Sequence, residues 1–165
     1  MPSHKITEAQ KDTLAALDEY LCENTEECVL TAGREGKMPF RPHKGRGTAD
    51  LRRFVKRDIK KGGSNWGLLL GPEIMVLDFD DMDKWLEYQE KFPEDINTCP
   101  SQTTNKGAHC FFLNTHGFKG SSIKIDGSVD LLVQESSGTR RYVECAPSPN
   151  KEWVHPLGST ELQSV

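Results

Sequence analysis

The segment 66-WGLLLGPEIMVLDFD-80 contains two apolar runs joined only by a short Gly-Pro-Glu connection. Runs of this length, rich in Leu, Ile and Val and bounded by turn residues, read as strands buried in a sheet rather than as helix. With so short a link the two are expected to form a hairpin or a tight pair. The second run ends in three acids, Asp78, Asp80 and Asp81. They are either solvated at a strand end or hold something positive.

The rest of the chain supplies helices first and strands afterwards. Residues 7–21 carry a helix signature, with Thr7 placed to cap it and Leu14, Leu17 and Leu21 recurring at spacings of three and four. CVLTA (28–32) is a short strand candidate, and the Gly-, Pro- and charge-rich GREGKMPFRPHKGRGTA is a loop. A second helix is expected from about Thr48 to Lys61, closed by Gly62 and Gly63. DMDKWLEYQEKF (81–92) reads as a third helix stopped by Pro93, with Asp81 as its cap. Five strand-like pieces follow, CPSQTT, GAHCFFLN, SIKIDG, VDLLVQES and RRYVECA, and the last ten residues read as weakly structured. The pattern is that of one α+β (mixed α/β) domain over residues 1–165, built around a largely antiparallel sheet.

At 165 residues the chain suits one compact domain. No apolar run approaches the roughly 20 residues needed to span a bilayer, and the N-terminus has no apolar segment to act as a signal. An intracellular protein with no membrane partner is the expectation. Five cysteines without a CxxC pair, and five scattered histidines, give no zinc spacing. The thiols are read as reduced and mostly core-filling. Net charge is −4, but Arg34 to Lys61 holds eleven Lys or Arg against three acids, a local balance of +8, so the remainder carries −12. Such segregation suits either a basic surface for a polyanion or a solvated helix face.

Three constellations carry chemistry. Strand alternation puts Asp78 and Asp80 on one face with Phe79 on the other, about 7 Å apart and able to share a hard divalent cation. In 103-TTNKGAHCFFLN-114 a polar turn opens a strand at His109. His109, Phe111 and Leu113 share one face, Gly107 permits close backbone approach, and Lys106 adds a positive charge suited to phosphate. In 127-GSVDLLVQESS-137, Asp130 falls on the face opposite Val129, Leu131 and Val133, where it needs a partner or a ligand. Arg140 and Arg141 are the competing partners.

The order of these pieces resembles the primase–polymerase branch of the archaeo-eukaryotic primase superfamily: a strand ending D-x-D, then G-x-H opening a strand, then an isolated Asp before a Pro-Ser turn. GREGKMP (33–39) is similar to that family's early G-x-K-x-P region. GGSNWGLLLG (62–71) matches its approach to the first catalytic strand, and RYVECAPS (141–148) its closing strand. The resemblance covers about residues 33–148.

The family implies an RRM-like catalytic sheet with flanking helices and an N-terminal helical/αβ portion. It implies Asp78, Asp80 and Asp130 as ligands of two Mg²⁺ or Mn²⁺ ions, and nucleoside triphosphates as substrates. His109 would contact the nucleotide's phosphates, with Lys106 as helper and Lys37 a further phosphate or template contact. Single-stranded DNA template or primer would run along Arg34, Arg41, Lys44, Arg46, Arg52 and Arg53. Many relatives place a serine where this chain has Gly107, so a hydroxyl contact falls to Thr103 or Thr104. Relatives usually continue into a helicase, so a helicase in the same chain or as partner is expected, with this sequence the N-terminal part of a longer replication protein. Two alternatives stand beside a templated nucleotidyltransferase: a non-catalytic single-strand-binding module, and a metal-dependent nuclease. A lysine near the acids would favour the nuclease, but the sequence does not place the nearest strand lysine, Lys124, beside them.

Overall fold

The computed structural model describes residues 5–35 and 38–164. In chain order the elements are α1 (Glu8–Asn24), β1 (Val29–Arg34), β2 (Met38–Pro39), α2 (Thr48–Arg52), α3 (Val55–Lys61), β3 (Trp66–Leu70) and β4 (Ile74–Phe79). There follow α4 (Met82–Lys91), α5 (Pro93–Ile96), β5 (Ser101–Thr103), β6 (Ala108–Leu113), β7 (Ile123–Asp126), β8 (Val129–Leu132), β9 (Arg141–Cys145) and β10 (Glu152–His155). The fold is α+β, with every strand pair antiparallel.

The strands form two sheets. One has the order β2-β1-β3-β9 and the other β10-β5-β6-β4-β8-β7. The expected hairpin of the two apolar runs is therefore not formed. β3 pairs with β1 and β9, while β4 pairs with β6 and β8. Both runs are apolar on both faces, as central strands are, so each takes a neighbour at either edge and the other run is not needed. Residues 71–73 carry the chain from one sheet to the other. Glu73 ties this crossing to the start of β1, its carboxylate accepting the backbone N–H groups of Glu26 (2.7 Å) and Glu27 (3.2 Å).

The helix expected over 48–61 is broken at Arg53 and Phe54 into α2 and α3. The break lets Phe54 sit beneath three guanidinium groups, those of Arg41, Arg53 and Arg57, at 4.4–4.9 Å from its ring centre. Gly62 ends α3 in the left-handed region at φ 79°, where glycine is the least strained residue. Thr7 and Gln10 cap α1 reciprocally, and Asp81 caps α4 by accepting the Asp83 N–H at 2.9 Å. Pro93 does more than stop α4, since it opens α5 at a first-turn position where its missing N–H costs nothing.

Two apolar clusters hold the layers together. The larger joins α1, α2, α3 and the four-stranded sheet to one face of the six-stranded sheet through Ile74, Val76 and Phe111. The smaller lies on the opposite face, where α4 and α5 cover Met75, Phe79, Cys110 and Phe112. The segment expected to be weakly structured, 156–165, instead delivers Leu157 and Leu162 into the larger cluster. The Leu113 N–H donates to Gln163 O at 2.9 Å, which fixes this segment to the end of β6. Among the described residues no helix is long and apolar enough to cross a membrane.

Candidate functional site

Along β4, one face presents Ile74, Val76, Asp78 and then Asp80. The first two lie in the dry cluster between the sheets. The next two line a cavity of about 370 Å³ where the sheets part. β6 makes the same change in parallel, from buried Phe111 to His109 at the cavity. The carboxylates end the strand because the face they share leaves the core there.

Register then assembles a row of polar groups across the six-stranded sheet. Asp78 lies opposite His109 on one side and Asp130 on the other. His109 lies opposite Gln102, and Asp130 opposite Lys124. Side chains directly opposite in antiparallel pairs have Cβ atoms about 4.5–5.5 Å apart, close enough to interact. His109 Nε2 is 3.3 Å from Asp78 Oδ1, and Lys124 Nζ is 3.4 Å from Asp130 Oδ1. Arg140 and Arg141 do not pair with Asp130. Their side chains donate instead to Glu27 O, Arg46 O and Thr48 Oγ1, and to Val133 O and Gly120 O.

The imidazole of His109 is fixed from behind. Gln102, fully buried, accepts the Ala146 N–H at its Oε1 (2.9 Å), which leaves its Nε2 to donate to Glu144 O (2.9 Å) and to His109 Nδ1 (3.0 Å). An Nδ1 that accepts places the ring proton on Nε2, the atom facing Asp78 and the cavity. His109 thus presents a hydrogen-bond donor at the mouth of the sheet.

Lys106 and Thr104 also line the cavity. Thr103 does not. Its hydroxyl donates to Glu152 O at 3.4 Å, on the β10 side. Gly107 has a steric cause, because a Cβ there would fall on the carbonyl oxygen of Phe79. The end of β4 and the start of β6 approach too closely for a side chain at this position. Asp130 stands beside Asp78 in register but is not among the cavity-lining residues. Lys37 lies outside the described residues.

The six expected nucleic-acid contacts separate into two kinds. Arg41 forms a two-pronged ion pair with buried Asp58, and Arg52 donates through Nη2 to Leu21 O, Thr25 O, Thr25 Oγ1 and Cys28 O at 2.8–3.2 Å. Both brace the fold from within. Arg34, Lys44, Arg46 and Arg53 are exposed, the last two sharing Asp50 at 3.6–3.7 Å.

Among the described residues no three His, Cys, Asp or Glu side chains are gathered into a ready metal cluster. The donors do suit a hard divalent cation: Asp78 and Asp130 are cross-strand neighbours, and Asp80 follows Asp78 on the same face. His109 and Lys124 partner two of these carboxylates in this structure.

Four residues of the site escaped sequence reasoning. Gln102 sits in a short polar segment with nothing local to distinguish it. Glu144 and Lys151, paired at 3.4 Å and both largely buried, form part of the cavity wall, as does Tyr142. Alternation in RRYVECA already places Tyr142 and Glu144 on one face, and that was the available signal. Burial holds the Tyr142 phenol well above the ordinary tyrosine range. Ser148, in the Pro-Ser turn, accepts the Trp66 N–H at 2.7 Å and donates to Trp66 O at 2.8 Å, which locks β9's exit to the start of β3. Comparison with known proteins gives no matching family model and no matching curated protein.

Proposed function

We propose that the chain is a metal-dependent nucleotidyltransferase of primase–polymerase type, adding nucleotides along a single-stranded DNA template. One observation carries the reading: Asp78 is flanked in register by His109 and Asp130 at the point where its strand face opens into a cavity shared with Asp80 and Lys106. Acids that can hold cations, beside a fixed N–H donor and an ammonium group, are what a triphosphate and an attacking hydroxyl require. The strand order supports the RRM-like expectation. β5-β6-β4-β8 with α4 after β4 follows the order of that fold's four strands, although no helix stands between β6 and β8.

Asp78, Asp80 and Asp130 would hold Mg²⁺ or Mn²⁺, which when bound offsets phosphate charge and favours loss of pyrophosphate. The Nε2–H of His109 and the Lys106 ammonium group orient the nucleotide's phosphates. Arg34, Lys44, Arg46 and Arg53 attract the template backbone, an attraction that weakens steeply with salt. A helicase, in the same chain or as a partner, would supply the single strand.

A second reading has an observation of its own. Lys124 sits against Asp130 at the site's edge, where a metal-dependent nuclease would use a lysine beside its acids. One assay separates the two: a primed template with labelled deoxynucleotides and Mn²⁺, run beside Asp78→Ala/Asp80→Ala. Extension by wild type and none by the variant supports the transferase. Template shortening that the variant loses supports the nuclease. Binding with no change to either strand points to a non-catalytic module, and equal extension by both proteins overturns the metal assignment.

A further inference from the structure

Tyr142 of β9 lies opposite Leu69 of β3, yet its side chain runs diagonally across the sheet. A Cβ on Gly67 would fall on its ring carbons Cε2 and Cζ, and a Cβ on Gly33 would fall on its hydroxyl oxygen. The ring therefore crosses β3 at Gly67 and ends over Gly33 of β1, lying in a track that two glycines keep clear. Any larger residue at either position would lift it. The hydroxyl at the far end is buried with no hydrogen-bond partner among the described residues. The ring itself makes the contact with the two glycines. The residue itself is half-buried and lines the same cavity as Asp78, Asp80, Lys106 and His109.

The two sides of that cavity thus differ. The six-stranded sheet offers charge and a hydrogen-bond donor, and the four-stranded sheet offers an aromatic ring held against its backbone. We propose that Tyr142 is the stacking platform for the base of the bound nucleotide, held flat by Gly33 and Gly67, while His109 and Lys106 take the phosphates. This rests on the nucleotidyl-transfer reading above. Stacking on an aromatic ring is indifferent to base identity, since every base has a π-face. The platform accordingly holds any nucleotide and leaves selection to the template.

The test measures binding of dATP and of tripolyphosphate, each with Mn²⁺, to the full chain by calorimetry. Wild type should bind dATP more tightly than tripolyphosphate. Tyr142→Leu should weaken dATP roughly 5- to 150-fold, the range for loss of one base–aromatic stack, and leave tripolyphosphate unchanged. Tyr142→Phe should retain the affinity for dATP. In case the Leu variant fails to fold, nuclear Overhauser contacts between the Tyr142 ring protons and the base protons of dATP are measured on wild type with diamagnetic Mg²⁺ in place of Mn²⁺, and should be present. Equal loss of both ligands in the Leu variant, a Phe variant as weak as Leu, or the absence of those contacts overturns the platform. Wild type binding dATP no better than tripolyphosphate also overturns the platform while the transferase reading stands on its own assay. Wild type binding neither ligand overturns the nucleotide site and the platform together.

Discussion

The side-chain amide of Gln102 holds the imidazole of His109 by its Nδ1 at 3.0 Å, and the Ala146 N–H decides which end of the amide does so. Ring orientation and tautomer at the cavity are therefore set by a residue that does not reach the cavity. A neutral His109 should show a protonated Nε2 and a bare Nδ1 in its side-chain ¹⁵N spectrum. Gln102→Glu places an acceptor where the donor was and should move the proton to Nδ1. Extension should then fall about 10- to 100-fold, the usual cost of losing a group that orients a functional histidine. An unchanged ¹⁵N pattern in that variant would refute the assignment.

Asp78 and Asp130 face one another across β4 and β8, and like charges directly opposite are destabilising. Asp78→Asn keeps an acceptor for His109 and removes one of the two charges. The variant should match or exceed wild type in stability without added metal, by about 0.2–1 kcal/mol, and should fail to extend a primer. Mn²⁺ should raise the Tm of wild type and leave that of the variant nearly unmoved, because only a ligand bound to the native state stabilises it. Thermal scans with and without Mn²⁺ decide the matter.

Adjacent arginines should behave as opposites. Arg52→Ala strips the donor shared by Leu21 O, Thr25 O and Cys28 O and should cost about 1.5–3 kcal/mol in urea unfolding. Arg53→Ala, on the exposed side, should change stability by less than about 0.5 kcal/mol. It should instead lower the slope of log affinity for single-stranded DNA against log salt by about one. Reversed outcomes would mean that the two side chains exchange roles in solution.

Gly107→Ser introduces the hydroxyl that many primase–polymerases carry, but its Cβ must displace the Phe79 carbonyl. Overpacking of this kind costs about 1–3 kcal/mol, so the variant should unfold at lower urea and bind nucleotide no better. A gain in nucleotide affinity would show that the close approach of β4 and β6 is adjustable.

Much of the site was legible because a strand's period of two is rigid. Asp78 with Asp80, and His109 with Phe111, follow from alternation alone. Pairing across strands was not legible. Nothing local in LDFD or GAHCFF announces that Asp78 and His109 share a register, and still less that Gln102 stands behind the histidine. The apolar runs on either side of Pro72 were recognisable as strands, but burial on both faces says that a strand has neighbours without saying which. Arg52 and Arg53 look alike in sequence because a charge on a short helix reads as solvated until its acceptors, here carbonyls at the end of α1 and in the turn that leads to β1, are in place. Leu157 and Leu162 were hidden among prolines and polar residues, with too few apolar neighbours to form a period.

The change of character along β4 has a mechanical consequence. Asp78 is cantilevered: its strand is clamped at Val76, packed with Phe111 in the dry layer, and the carboxylates of the candidate site project beyond that clamp. A projecting group inherits its position from the rigidity of its anchor. The precision of the proposed site is thus machined into side chains that do not line the cavity, and a lost methyl group at Val76 should loosen the aim of Asp78 before it loosens the fold.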